Sequence, residues 1–200
     1  MNRILILGIG NVLWADEGFG VRVVQALQRN YDFPESVRLM DGGTQGLALL
    51  PYVQEADTLI IADAVDFKCD PGTLVELRDA EVPAYLGAKK MSLHQVSFQE
   101  VLALGELLGH TPRHLYLVGV QPCVLEDYGG SLSEPVKAML EPAMARILQY
   151  LAELDIVVEK RTQAAPDSDP LGMAAYEARR PSAGEACRVG DERFLALRSD

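Results

Sequence analysis

The chain has 200 residues, 48% of them hydrophobic, and a formal net charge of −11 at pH 7. That length suits one domain with a sizeable core, and the charge argues against a nucleic-acid binder or a protein docking on an anionic membrane, both of which need Lys and Arg in excess. Cys69, Cys123 and Cys187 form no CxxC pair, so neither a disulfide framework nor a thiolate zinc site is indicated and a reducing cytoplasm fits. No apolar run reaches the ~18 residues of a membrane span. The stretch at 4–14 runs straight into Asp16-Glu17-Gly18 without a signal-peptide cleavage site.

The first strand is predicted over 3–9, an apolar run ending in the turn Gly8-Ile9-Gly10-Asn11. A helix follows over 18–30, with Val21, Val24 and Leu27 at helical spacing. A second strand, 36–40, leads into the loop Asp41-Gly42-Gly43-Thr44, and a short helix covers about 45–54. The third strand, TLIIADAV at 58–65, is apolar on both faces, as in a central parallel strand. The fourth, 73–78, lies too close behind it for a parallel crossover and is expected antiparallel, with the turn at Cys69–Gly72. Ser92-Leu93-His94-Gln95 matches a capping box for a helix over 93–108. The fifth strand is 114–120 and the last helix 133–153. This alternation predicts an α/β fold, a three-layer α/β/α sandwich on a mostly parallel five-stranded sheet. The domain is expected to end at 158, followed by an Ala/Pro/Ser-rich, flexible tail over 159–200.

Three polar residues stand out within this frame. Glu17 follows the first strand, Asp63 sits at the carboxyl end of the third, and His94 opens a helix. A charge inside an apolar run is costly without a partner. If the first and third strands are neighbours, Glu17 and Asp63 meet at one sheet edge, where open α/β sheets bind ligands. Two carboxylates and an imidazole suit a divalent cation of borderline hardness, with a position left open. Each residue also has a plainer role when taken alone: Asp63 in a cap or ion pair, His94 as a cap, Glu17 as a charge favouring a helix dipole. Gly8-Ile9-Gly10 resembles a dinucleotide fingerprint, but Leu13 replaces its third glycine and Asp16 and Glu17 would repel a pyrophosphate. Cys123, after Gln121-Pro122, is expected to be a buried, inert thiol.

GIGNVLWADEGFGVRVVQAL, MDGGTQGLALL, LIIADAV, the SLHQ segment and LYLVGVQP, in this order, resemble the [NiFe]-hydrogenase maturation endopeptidases over residues 3 to about 155. The resemblance implies a twisted five-stranded sheet and a cytoplasmic endopeptidase, of metal-dependent or aspartyl type. Its expected partner is the hydrogenase large-subunit precursor, shortened at its carboxyl terminus after nickel insertion. It implies that Glu17, Asp63 and His94 contact nickel carried by the precursor, or another divalent metal at the same place. Asp41, Gly42, Gly43 and Thr44 would then help to recognise the precursor, and Asp16 or Asp41 would be the general base. Val12, Leu13 and Trp14, apolar in a loop beside the proposed ligands, are further recognition candidates. A non-catalytic nickel chaperone and a nucleotide-binding enzyme are the alternatives.

Overall fold

The computed structural model describes residues 2–88, 93–125, 127–165 and 172–179, with only the backbone for 85–88, 93–97 and 179. Strand β1 (Ile4–Ile9) is followed by a 3₁₀ turn (Ala15–Gly18) and helix α1 (Phe19–Asn30). A two-residue strand β2 (Tyr31–Asp32) precedes β3 (Val37–Gly43), a 3₁₀ turn (Gly46–Leu49) and α2 (Leu50–Glu55). Then come β4 (Thr58–Ala64), β5 (Leu74–Arg78), α3 (Glu81–Ala88), α4 (Leu93–Leu107) and β6 (His114–Val120). The chain continues through α5 (Glu134–Lys137), α6 (Leu140–Glu153), β7 (Glu159–Lys160) and α7 (Met173–Arg179).

The main sheet has the order β3-β1-β4-β6-β5. All its pairings are parallel except that of β5 with β6, which is antiparallel. The expected α/β sandwich is therefore observed, including the one antiparallel strand. The link from β4 to β5 crosses the end of β6: Val65 N–H donates to the Val120 carbonyl (2.9 Å) and Gln121 N–H to that of Thr73 (2.8 Å). Thr73 N–H closes the turn on the Asp70 carbonyl (3.0 Å).

Alternation along the strands sends Ile4, Ile6, Ile60, Ala62 and Val118 to the face covered by α1 and α6. Leu5, Leu7, Leu59, Ile61 and Leu117 pack on the other face with Val53 of α2, Val82 of α3, and Phe98 and Val101 of α4. Helix α1 lies unusually close to the sheet. A Cβ on Gly20 would stand 2.0 Å from the Ala62 carbonyl oxygen, and one on Gly8 would stand 2.3 Å from that of Gly20. Those glycines are there for backbone contact rather than for a phosphate.

Two features differ from expectation. The last helix is two, α5 and α6, because Pro142 has no N–H to carry the ladder across the joint. Helix α3 occupies a segment to which periodicity assigned nothing; Pro83 is tolerated in its first turn. Of the expected tail, residues 159–165 and 172–179 are described, and these make contacts with the domain. Beyond the β2–β7 pair, Arg161 pairs with Asp32 (2.8 Å) and Ala165 exchanges hydrogen bonds with Arg29. Farther on, α7 lies against α5 and α1, with Lys137 paired to Glu177 (2.8 Å) and the Arg22 guanidinium over the Tyr176 ring. Among the described residues, no helix is long and apolar enough to cross a membrane.

Candidate functional site

Four parallel strands end at the same edge of the sheet, and their loops meet there. Gly8 of β1 is in register with Asp41 of β3, and the register shifts between Gly8 and Ile9. The shift lets Gly10, at φ +128°, donate its N–H to the Gly43 carbonyl (3.0 Å). Gly10 also backs onto Glu17: an added Cβ would stand 1.7 Å from the Glu17 carbonyl oxygen, and Asn11 N–H donates to that same oxygen (3.2 Å). The Asp41–Gly43 loop and the Glu17 turn are thus coupled through a single glycine. Asp41 is exposed, and its carboxylate folds over Gly43, where an added Cβ would be 3.3 Å from Asp41 Oδ1.

Asp63 is 2% exposed and faces Gly119 of β6 in register. It follows Ala62, the residue on which Gly20 of α1 rests. That contact brings the Glu17 turn against β4. Asp63 alternates with Leu59 and Ile61, so it belongs to the face covered by α4. Helix α4 runs toward the start of β6, which places its first turn, with the His94 backbone, at the carboxyl edge. The His94 side chain and Ser92 of the expected capping box lie outside the described residues.

The two neighbouring acids of the first loop have different surroundings. Glu17 is half-buried, whereas Asp16 is 0% exposed. Asp16 Oδ2 accepts hydrogen bonds from Cys123 N–H (2.8 Å), Val124 N–H (2.7 Å) and Ser133 Oγ (2.9 Å), and Oδ1 accepts one from Ser133 N–H (2.7 Å). The Asp16 carboxylate is therefore turned away from solvent, against Cys123, Val124 and Ser133. Trp14 is half-buried and makes an edge contact with Tyr128 (centroids 5.3 Å apart), itself 51% exposed; Val12 and Leu13 are also half-buried. Cys123 is exposed, not buried. Its N–H is held inward by Asp16 as the chain leaves the sheet.

On the far side of Asp63, Gln121 organises the loop after β4. Its Oε1 accepts from Phe67 N–H (2.7 Å) and Cys69 N–H (3.2 Å), and its Nε2 donates to Asp66 Oδ1 (3.1 Å). Asp66 forms an ion pair with Lys68. That hydrogen-bonded ammonium holds the Asp66 carboxyl at about 2, against an ordinary 3.8; burial opposes the shift, while the Lys68 N–H and the Gln121 amide support it.

The structure therefore brings together the Glu17 turn, Asp63 and the Asp41–Thr44 loop, and it separates Asp16 from them. Among the described residues no group of three or more His, Cys, Asp and Glu is placed to hold a metal. Sequence reasoning missed Gln121, Ser133 and Tyr128. Gln121 had a signal, a polar residue directly after the apolar run HLYLVGV; the other two had none.

The HycI family, described as hydrogenase maturation protease, matches residues 21–150. The hydrogenase expression/formation protein HupM of Azotobacter chroococcum mcd 1 is 58% identical over 196 residues, covering 97% of this chain and 94% of that protein. The hydrogenase 2 maturation protease of Escherichia coli K12 is 47% identical over 152 residues, covering 76% of this chain and 92% of its own. The solved structure of the hydrogenase maturating endopeptidase HybD from E. coli superposes with a TM-score of 0.76 at 44% identity, covering 80% of this chain and 98% of that one.

Proposed function

The chain belongs to the hydrogenase maturation protease family, and from that premise we propose that it cleaves the carboxyl-terminal extension of a [NiFe]-hydrogenase large-subunit precursor once nickel has been inserted. The observation that carries this reading is the meeting, at one sheet edge, of the Glu17 turn, buried Asp63 and the exposed Asp41 loop.

Nickel is here part of the substrate. Carboxylate oxygens from Glu17 and Asp63 and an imidazole nitrogen from His94 are a donor set suited to it or to another divalent ion of borderline hardness. A cation held there supplies polarisation of the scissile carbonyl or activation of water. Asp41, open to solvent, is the general base: it takes a proton from the attacking water and returns it to the departing amine. Asp16 has no contact with water and is not assigned that role. Asp41 to Thr44 and Trp14 line the approach and recognise the precursor. The acidic balance of the chain, −11 at pH 7, favours a precursor segment without excess negative charge.

Mass spectrometry of the purified precursor, mixed with this protein with and without nickel, tests the reading. A shortened precursor is expected only with nickel, and Asp63→Asn or His94→Ala should abolish the shortening with circular dichroism unchanged. An unshortened nickel-loaded precursor that still binds would point to a chaperone. Trp14→Ala should weaken precursor binding, and unchanged binding removes Trp14 from the recognition surface.

A further inference from the structure

We propose that Asp16 is a positioning residue: its buried carboxylate joins the Glu17 turn to segment 121–133 as one wall of the cleft and so sets where Glu17 stands. The proposal rests on the function above for its catalytic consequence, and on geometry alone for the joint itself.

Asp16 takes four hydrogen bonds through its carboxylate, from three residues of one segment, and its own N–H donates to the Val124 carbonyl (3.1 Å). Two residues earlier, Trp14 pairs with Tyr128 in an isolated antiparallel bridge. Gly129 N–H donates to the Leu13 carbonyl (2.8 Å). The first loop and segment 121–133 are thus laced together from Leu13 to Asp16. Between the two points of lacing, Ala15 has φ +39°, in the left-handed region that an L-residue with a Cβ avoids. Such a backbone persists only where its surroundings over-determine it. The next peptide carries Glu17, whose N–H closes the turn on the Trp14 carbonyl (2.9 Å). Glu17 therefore has little freedom while Asp16 keeps its donors.

The carboxylate cannot be replaced by its amide. All four partners donate, and an Asn would turn an NH₂ group toward at least one of them. Asp16→Asn is thus a nearly isosteric way to open the joint. Ser133→Ala is a milder one, since it removes only the Ser133 Oγ bond and should leave the fold intact. The Cys123 and Val124 amides report on the joint directly, because both N–H groups donate to Asp16. The Cys69 amide, which donates to Gln121 instead, is the internal reference.

The experiment measures precursor cleavage, and amide hydrogen exchange at Cys123 and Val124 relative to Cys69, on the full-length protein. For Asp16→Asn, kcat should fall about 100-fold with KM changed less than about threefold, the size of loss that a misplacement of about 1 Å brings. The Cys123 and Val124 amides should exchange about tenfold faster, reflecting local opening of the segment. Ser133→Ala should shift both quantities in the same direction by about threefold, consistent with one lost hydrogen bond among several. Unchanged kcat in both variants overturns the proposal, and so does a fall in kcat with the two amides exchanging no faster than in the parent. If the parent itself leaves the precursor uncut, the function proposed above fails, and the exchange ratio alone decides the joint: no rise in either variant overturns it.

Discussion

The loops after β1 and β4 are anchored to the same segment in opposite ways. The first loop sends its own acid, Asp16, under segment 121–133, where it accepts from three backbone N–H groups and a hydroxyl. The second receives a neutral amide, Gln121, which accepts from Phe67 and Cys69 while the loop's own acid, Asp66, pairs with Lys68 near the surface. Each loop bends through one non-glycine residue at positive φ, Ala15 at +39° and Lys68 at +60°. The difference lies in what holds the bend. Removing the charged acceptor orphans three backbone N–H groups and a hydroxyl, whereas removing the neutral one orphans two N–H groups. The first loop is the rigid one, and it carries Glu17.

The largest test strikes the packing beneath the rigid loop. Gly20→Ala puts a methyl 2.0 Å from the Ala62 carbonyl, backbone against backbone. It should cost about 3 kcal/mol or more, read as a lower urea midpoint. Asp16→Ala should cost about 3 kcal/mol, because three backbone N–H groups lose their acceptor. Gln121→Ala should cost only about half as much, since it orphans two backbone N–H groups rather than three and the acceptor it removes is neutral. Equal losses in these two variants would break the comparison. Glu177→Gln, which weakens the α7 contacts to Ser131 (2.7 Å) and Lys137 (2.8 Å), should lower stability by about 1 kcal/mol. The smallest effect is in acid. The Asp66 carboxyl is held at about 2 in the folded chain, below its ordinary 3.8, so its stabilisation is complete above the higher value and is lost as pH falls through the lower. Asp66→Asn should flatten the stability profile between about pH 4 and pH 2 and lower stability near pH 7, where the stabilisation by the ionised carboxyl is complete.

Where a signal was local, the sequence carried it. Apolar runs marked the five long strands, and a link too short for a crossover made the fourth of them antiparallel. The meeting of the Glu17 turn with Asp63 needed only the neighbouring order of β1 and β4, a frequent arrangement in doubly wound sheets. Asp16 is a candidate general base from sequence because its adjacency to Glu17 is all that can be seen there. Its actual partners lie 107 to 117 residues away, and no periodicity reports such a distance. The same limit hid the exposure of Cys123 and the docking of α7, whose sequence is too short and too mixed to announce a face. The break at Pro142 was legible in principle, since a missing N–H is a property of the residue itself.

The reach of the Asp16 joint also bears on how the protein is made. A nascent chain exposes Asp16 long before Ser133, 117 residues later, has left the ribosome. Until then the first loop carries a charge that the finished core encloses, and Ala15 has nothing to hold its bend. Strands β1, β3 and β4 can pair while β6 is still being synthesised, so the sheet precedes its own cleft. Growing chains halted before residue 121 should therefore lack the joint altogether, and competence should arrive late, with the emergence of segment 121–133.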